Sequence, residues 1–285
     1  MTDDLLPEKT DRLRSFMETG GQVVGQTAGA AVSLLTGPVL GAGVSVVLGN
    51  VFERVGLELY DRVLGPRQGA RAAGALDVAL VRVQERREAG DPLREDGFFD
   101  AGPDGRTDAE EVLEGTLLTA ANAYEERKVA HIGSLYANLA FDPSVSAAHA
   151  NFLLRMADRL TYRQLTALAF FTKAQGGDYE RAVLGLMAEA SETGRRPSPA
   201  LLAEMDDLSD ARLLGVRQND GSVTMPGATY GSDSGWKLSN LGSAAPTVIG
   251  ETLHRLMDLD AIPPADLDAI LAELRVRLTT PKQAH

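Results

Sequence analysis

The segment from Thr107 to Pro143, TDAEEVLEGTLLTAANAYEERKVAHIGSLYANLAFDP, decides the fold class. Its apolar residues recur three and four positions apart, which is the spacing of one face of an α-helix. Thr107 or Asp108 can cap the start, and the carboxylates of the first turn suit the helix dipole. The pattern predicts one long helix to about Ala140, where Asp142-Pro143 ends it. The predicted core positions are Leu113, Leu117, Ala121, Ile132, Leu135 and Leu139.

Helical periodicity continues on both sides of this segment. Gly65-Pro66 and Gly90-Asp91-Pro92 bracket one further predicted helix, and Ser198-Pro199 opens another with proline at its first position. These two helices run over about Gln68–Glu88 and Ser198–Leu214. Further helices are predicted at about Ser146–Leu160, Tyr162–Ala174, Tyr179–Glu192, Asn240–Met257 with Ser239 as cap, and a last one after Ile262.

A short β-hairpin interrupts the C-terminal helices. Gln218–Gly221 is a turn signal, Ser222–Met225 contains a predicted strand, and Trp236–Leu238 is predicted to return beside it. Three helices followed by such a hairpin are typical of a winged helix, here at about 160–258. The sequence therefore predicts a mainly α protein, a helical bundle with a winged-helix-like part and a small β-hairpin.

The N-terminal part contains an apolar run of 33 residues without charge, from Gly20 to Phe52. Its glycines repeat every four residues, which places them on one helix face where another helix can approach closely. Gly37-Pro38 is a break, so we predict a helical hairpin of about Gln22–Thr36 and Val39–Val63. The predicted membrane or oligomer contacts, as in a glycine zipper, are Gly21, Gly25, Gly29, Gly37, Pro38, Gly41, Val44, Val47 and Leu48.

Two interpretations of this run stay open. It is a membrane-active or self-associating hairpin, or it is a buried hairpin whose glycines only permit close packing. Each arm is short for a full span of about 20 residues. Beyond Phe52 the pattern becomes amphipathic, with Val55, Leu59 and Val63 at helical spacing. The acidic start, Met1–Glu18, does not fit a secretory signal, so we expect a cytoplasmic protein, with association at the periphery of the inner membrane as an alternative.

The polar connection Asp91–Arg106 contains Gly and Pro and predicts a domain boundary. It separates an N-terminal helical region, residues 1–90, from a helical domain, residues 107–285, that holds the winged-helix-like module and the C-terminal helix.

Composition narrows the function classes. The 285 residues include 28 basic and 40 acidic side chains, and the net charge of −12 argues against a generally basic nucleic-acid surface. The chain has no cysteine, which excludes thiolate catalysis, disulfides and thiolate zinc sites. Gly41-Ala42-Gly43 lacks the third glycine of a dinucleotide loop, and Asp233 stands where a nucleophile elbow needs serine. We expect a non-enzymatic protein without cofactor, metal or small-molecule substrate.

Two weaker patterns have simpler explanations. Asp100–Glu111 resembles the spacing of a calcium loop, but Gly102 supplies no side-chain oxygen, and a turn before a helix cap explains the same acids. His131 and His254 each lie near carboxylates along the chain, which more often indicates surface pairs than a catalytic or metal-binding group.

The winged-helix outline raises the question of DNA binding. Its candidate recognition helix, Pro199–Leu214, carries four carboxylates against Arg212, and these would be repelled by phosphates. A protein partner is favoured over DNA. The predicted contacts of this module are Arg212, Arg217, Trp236 and Lys237.

Three phrases carry a family resemblance: Leu135-Tyr136-Ala137-Asn138-Leu139, Leu160-Thr161-Tyr162 and Leu238-Ser239-Asn240-Leu241-Gly242. Together with the glycine-rich start, their order over about Val23–Val248 resembles the abortive infection alpha family of bacterial proteins. The resemblance implies a role in phage defence, by arresting or killing the infected cell, and brings no catalytic residues.

Two function hypotheses follow. The first is a non-enzymatic defence protein whose glycine-rich hairpin engages membrane lipid or drives self-association into a homo-oligomer. The second is a winged-helix regulator or adaptor that binds a protein partner or, as the weaker version, DNA.

Overall fold

The computed structural model describes residues 49–52, 54–55, 65–193, 196–226, 236 and 238–275. This part of the chain is mainly helical with a small three-stranded antiparallel sheet, which confirms the predicted fold class. Residues 49–52 and 54–55 are helical, as predicted for that stretch. The remainder of the predicted N-terminal hairpin, including Gln22–Thr36, lies outside the described residues.

The described elements follow the predicted order closely but not everywhere. The helices are α1 (Pro66–Glu88), α2 (Asp108–Asn122), α3 (Glu126–Leu139), α4 (Ala147–Arg159), α5 (Tyr162–Lys173), α6 (Gly177–Thr193), α7 (Pro199–Asp210), α8 (Leu238–Leu241), α9 (Val248–Leu256) and α10 (Pro264–Glu273), and the strands are β1 (Leu214–Arg217), β2 (Val223–Thr224) and β3 (Ala244–Pro246).

These elements form two compact units. The first contains the described residues up to Tyr162 together with Arg255–Asp258, and the second contains Arg163–His254 and the described residues from Leu259 onward. The predicted boundary at Asp91–Arg106 is therefore wrong. That connection is packed inside the first unit because Arg94 is buried there, donating to the backbone oxygens of Leu139 and Val145.

In the first unit, α1 packs against α2 and α3, and α2 also packs against α4. The closest approach is at Gly133 of α3. A Cβ atom at Gly133 would lie 2.5 Å from the carbonyl oxygen of Ala75 and 3.0 Å from Cβ of Val78, both in α1. The two helix backbones therefore meet where one of them has no side chain, as small residues permit at helix crossings.

The helix starts are where the sequence signals place them. Pro66 is the first residue of α1, and Ser146 caps α4 by accepting from the backbone N–H of His149. At α2, Thr107 accepts from the backbone N–H of Glu110, whose carboxylate in turn accepts from the N–H of Thr107. This reciprocal capping box satisfies two donors that the helix itself leaves unpaired.

The predicted long helix from Thr107 to Ala140 is two helices, α2 and α3. Ala123 and Glu125 adopt extended backbone conformations between them, and Tyr124 is 97% exposed. No Gly or Pro marks this break in the sequence. An unbroken helix of that length would extend about 50 Å, too far to bury both halves in one small core. Folding back lets α3 pack against both α1 and α2.

The second unit combines helices α5–α10 with the sheet, whose strand order is β2-β1-β3. The register pairs Val216 with Thr224 on one side of β1 and with Ala244 on the other. Three helices are joined by one side chain, since the guanidinium of Arg163 (α5) binds Glu204 (α7) at 2.7 Å and Glu273 (α10) at 2.6 Å.

The helix predicted at Ser198–Leu214 ends earlier, at Asp210. Arg212 has φ +61°, and Leu213 donates its N–H to the carbonyl of Leu208 while Arg212 donates to Ser209. These bonds form the Schellman end of a helix, where glycine is the usual residue in the left-handed position. Arginine occupies it here, so the usual sequence signal for the stop is absent. Leu214 consequently belongs to strand β1 rather than to the helix.

Two further predictions at the C-terminal end are wrong in detail. Trp236 lies outside any strand, Leu238 begins α8, and β3 is instead the second partner of β1. The helix predicted at Asn240–Met257 is divided into α8 and α9 by β3, because Pro246 cannot donate within a helix. Lys237 lies outside the described residues.

The contact at Gly133 generates a stability prediction. We expect Gly133→Ala to lower the free energy of unfolding by about 1–3 kcal/mol, because overpacking at the α1–α3 crossing outweighs the better helix propensity of alanine. The matched control is Gly185→Ala in α6, where a Cβ meets no atom within 4 Å. That variant should gain up to about 1 kcal/mol. Urea unfolding of both variants measures the difference, and equal stabilities would contradict the close contact.

Candidate functional site

The C-terminal end of the glycine-rich run is anchored in the first unit. Val51, Phe52 and Val55 are all buried, and Phe52 is 0% exposed. The ring of Phe52 packs edge-on against Tyr136 of α3, with 5.6 Å between ring centroids. The chain therefore enters the core at the residue where the uncharged run ends.

Polar contacts accompany this apolar anchor. The guanidinium of Arg54 donates to the carboxylate of Glu110 at 3.1 Å and to the backbone oxygen of Gly105 at 3.3 Å. Glu110 is buried, and its other oxygen accepts from the N–H of Thr107 at 2.8 Å. One carboxylate thus caps α2 and also holds the helical residues 54–55. We call Phe52, Arg54, Glu110 and Tyr136 the anchor site.

Tyr136 contributes an unusual polar group to the anchor site. Its hydroxyl is buried and has no hydrogen-bond partner among the residues that the structure describes. Burial raises its pKa far above the ordinary value, and the nearby carboxylate of Glu110 acts in the same direction. Tyr136 therefore stays neutral. Its ring contacts Phe52 edge-on, while its hydroxyl group is left out of this contact.

The predicted contacts within the run lie outside the described residues: Gly21, Gly25, Gly29, Gly37, Pro38, Gly41, Val44, Val47 and Leu48. Their role in lipid or oligomer contact stays a prediction. Across the stretches that the structure does describe, none of the helices combines the length and apolar character that crossing a bilayer requires.

A second polar cluster surrounds the turn Arg255–Asp258, which belongs to the first unit. Nδ1 of His131 lies 3.0 Å from the backbone oxygen of Met257, and the side-chain amide of Asn138 donates to that of Leu256 at 2.9 Å. Two ion pairs complete the cluster, Arg82 with Asp258 and Arg255 with Asp142. Helix α3 therefore supplies donors to the backbone carbonyls of Leu256 and Met257 in this turn.

His131 is a buried neutral histidine rather than a surface pair. Because a carbonyl oxygen can only accept, Nδ1 carries the proton. Burial lowers the pKa of His131 to about 4, and the positive charges of Arg82 and Arg127 also oppose protonation. The second histidine, His254, is also buried, with Nε2 3.9 Å from a carboxylate oxygen of Asp260.

One carboxyl group outside both clusters, that of Asp77 in α1, has a raised pKa. One of its oxygens is buried and has no hydrogen-bond partner within the described part of the chain. Burial raises its pKa to about 6.

The segment with calcium-loop spacing is a turn before a helix cap. Asp104 accepts from the backbone N–H of Arg106, and Glu110 is engaged by Thr107 and Arg54. Within the residues that the structure describes, no group of three or more His, Asp and Glu side chains is arranged to hold a metal ion.

The predicted contacts of the winged-helix module lie in different environments. Arg217 is exposed at the end of β1. Arg212 is the left-handed residue that ends α7, and its carbonyl accepts from the hydroxyl of Thr247 at 2.5 Å. Trp236 is 3% exposed and donates through its indole N–H to Ser209 at 3.1 Å, so its ring is part of the core. A contact role for this set stays a prediction.

The carboxylates of α7 serve contacts within the second unit. Glu204 binds Arg163, and Asp207 accepts from the side-chain amide of Gln164 at 3.0 Å. Half of the acidic residues that the sequence places on this candidate recognition helix therefore face α5.

Comparison with known proteins identifies no family: no family model, no curated protein and no solved structure matches the chain.

The environment of His131 predicts a pH dependence of stability. An unfolded histidine takes up its proton near pH 6.5, whereas folded His131 does so only near pH 4. Stability is therefore lost as the pH falls between these values, because the unfolded chain binds the proton first; the loss is about 3 kcal/mol. His131→Asn keeps a donor but cannot titrate. The difference in free energy of unfolding between wild type and variant should shrink by about that amount from neutral pH to pH ~4. Parallel pH profiles would contradict a buried neutral His131.

Proposed function

We propose that this chain is a non-enzymatic bacterial defence protein of the abortive-infection type. Its glycine-rich run, Gly20–Phe52, engages membrane lipid or drives self-association, and its first helical unit holds the end of that run. The observation that carries the proposal is the anchor site, which fixes the chain where the uncharged residues end.

The apolar part of the anchor supplies most of its strength. Full burial of each large apolar side chain contributes roughly 1.5–3 kcal/mol, so Val51, Phe52 and Val55 together stabilise this attachment by on the order of 5 kcal/mol. The ion pair of Arg54 with Glu110 adds less than about 1 kcal/mol, because the Arg54 side chain is 51% exposed and screened by solvent. Its contribution is orientation, since it fixes which face of the helical residues turns inward.

An anchor whose strength comes from apolar burial and whose orientation comes from an ion pair suits an effector with an apolar N-terminal segment. A segment that inserts into lipid or packs against copies of itself must stay attached to a folded body while its own surroundings change. Attachment by buried side chains is insensitive to salt, unlike attachment by surface charges. The anchor site therefore keeps the end of the run docked on the folded unit at salt concentrations that would weaken an ionic contact.

The composition of the run supports both versions of the proposal. Glycine every four residues allows close helix packing, whether between copies or within lipid. Polar residues such as Gln22, Gln26 and Ser33 dilute its apolarity, which suits a segment that passes between water and lipid. The resemblance to the abortive infection alpha family adds the biological setting, arrest or death of a phage-infected cell.

We expect the purified full chain to float with liposomes and to release an entrapped dye. Gly25→Leu with Gly29→Leu should abolish release, because leucine side chains separate the helices that glycine brings together. Light scattering of the same samples without lipid tests the self-association version, in which wild type is oligomeric and the double variant is not.

The matched control carries Gly69→Leu and Gly185→Leu, at two helical positions where an added Cβ meets no atom within 4 Å. This control should behave as wild type in both measurements. A chain that ignores liposomes and stays monomeric would overturn the proposal, as would equal losses in the two double variants.

A further inference from the structure

Helix α4 of the first unit divides cleanly into two faces. Its inner face buries Ala150, Leu153, Leu154 and Ala157. The opposite side of the helix, at helical spacing, is formed by Ala148, His149, Phe152, Arg155, Met156 and Arg159, and we call it the α4 outer face.

The α4 outer face carries two arginines and no carboxylate. Arg155 and Arg159 lie one helical turn apart and are both exposed. Within the described part of the chain neither makes an ion pair or a hydrogen bond. The exposed acid on this helix, Asp158, borders the face: around the axis it lies about 100° from Arg159 and about 60° from Arg155, with which it makes no ion pair. Glu111 of α2 accepts from Asn151 at 2.8 Å, which is likewise to one side of this face.

Apolar side chains lie between these charges. Phe152 and Met156 are only half-buried, and the rings of His149 and Phe152 stand 6.0 Å apart. A face that combines partly exposed Phe and Met with exposed arginines is suited to an anionic membrane interface. At a membrane interface, arginines contact anionic headgroups while apolar side chains enter the boundary with the acyl chains.

The net charge of −12 does not prevent such a contact. At an ionic strength of about 0.1 M the Debye length is about 10 Å, so only charges near the lipid surface contribute appreciably. The net charge of the face nearest the lipid then decides whether it is attracted, and the net charge of the α4 outer face is positive.

We propose that the α4 outer face docks on an anionic lipid surface, with Arg155 and Arg159 binding headgroup phosphates and Phe152 and Met156 entering the interface. This inference rests on the proposed function and deepens it: the first unit recruits the chain to the bilayer that the glycine-rich run then engages. Docking and membrane perturbation are thereby assigned to different residues, so each can be removed separately.

The test uses the full chain and two kinds of vesicle, phosphatidylcholine alone and phosphatidylcholine mixed with phosphatidylglycerol. At about 0.1 M salt, wild type should float only with the anionic vesicles. Arg155→Gln with Arg159→Gln should weaken this binding by about 30-fold, because each arginine at an anionic surface contributes about a fivefold factor. The control, Arg67→Gln with Arg196→Gln, makes the same change in net charge at two other exposed arginines and should bind as wild type.

Failure of this inference is distinguishable from failure of the proposed function. If the Arg155/Arg159 variant floats as wild type while Gly25→Leu with Gly29→Leu abolishes dye release, docking through α4 is wrong and the proposed function stands. If binding depends on the two arginines but no dye is released and no oligomer forms, docking stands and the effector role is wrong. Binding of duplex DNA with the same arginine dependence, without vesicle binding, overturns the assignment to lipid.

Discussion

The contact between α1 and α3 at Gly133 is the constraint on which the first unit depends. Because Gly133 has no side chain, the α3 backbone lies directly against Ala75. This fixes where every other residue of α3 falls. Tyr136 then reaches Phe52, His131 reaches the carbonyl of Met257, and both functions of the helix, anchoring and capping, follow from one approach distance.

Helix α3 consequently organises two very different partners. On one side it receives the apolar residues that end the glycine-rich run, a contact dominated by burial. On another it donates from His131 and Asn138 to backbone carbonyls of the turn Arg255–Asp258, a contact made by hydrogen bonds. Leaving a buried donor such as His131 without its acceptor costs about 1–3 kcal/mol, which is comparable to the burial of one apolar side chain of the anchor.

The sequence predicts most of the helices because their start signals are local. Pro66, the capping box at Thr107 and Ser146 each act within one helical turn. The errors have non-local causes. Nothing in Asn122–Glu125 marks the break between α2 and α3, which follows from the size of the core.

The same contrast between local signals and non-local causes holds for the ends of helices and for the candidate sites. Arg212 occupies a left-handed position where helices usually have glycine. The sequence therefore carries no glycine signal for the early end of α7 or for the start of β1. The amphipathic spacing of Phe52 and Val55 indicates a buried helix face but not its partner. Glu110 was expected only as one of the first-turn carboxylates that suit the helix dipole, and its bond to Arg54, 56 positions away, could not be predicted from spacing. The α4 outer face could not be predicted from the sequence, because the sequence does not show which arginines pair with carboxylates in the folded chain.

The membership of Arg255–Asp258 in the first unit has a consequence for biosynthesis. A nascent chain that has emerged only to Tyr162 contains every helix of that unit but not the carbonyls that accept from His131 and Asn138, nor the carboxylate that pairs with Arg82. The first unit is therefore completed only after Arg163–His254, the larger part of the second unit, has been translated. A chain that stops before Arg255 therefore leaves the buried His131 without the acceptor that it has in the complete first unit.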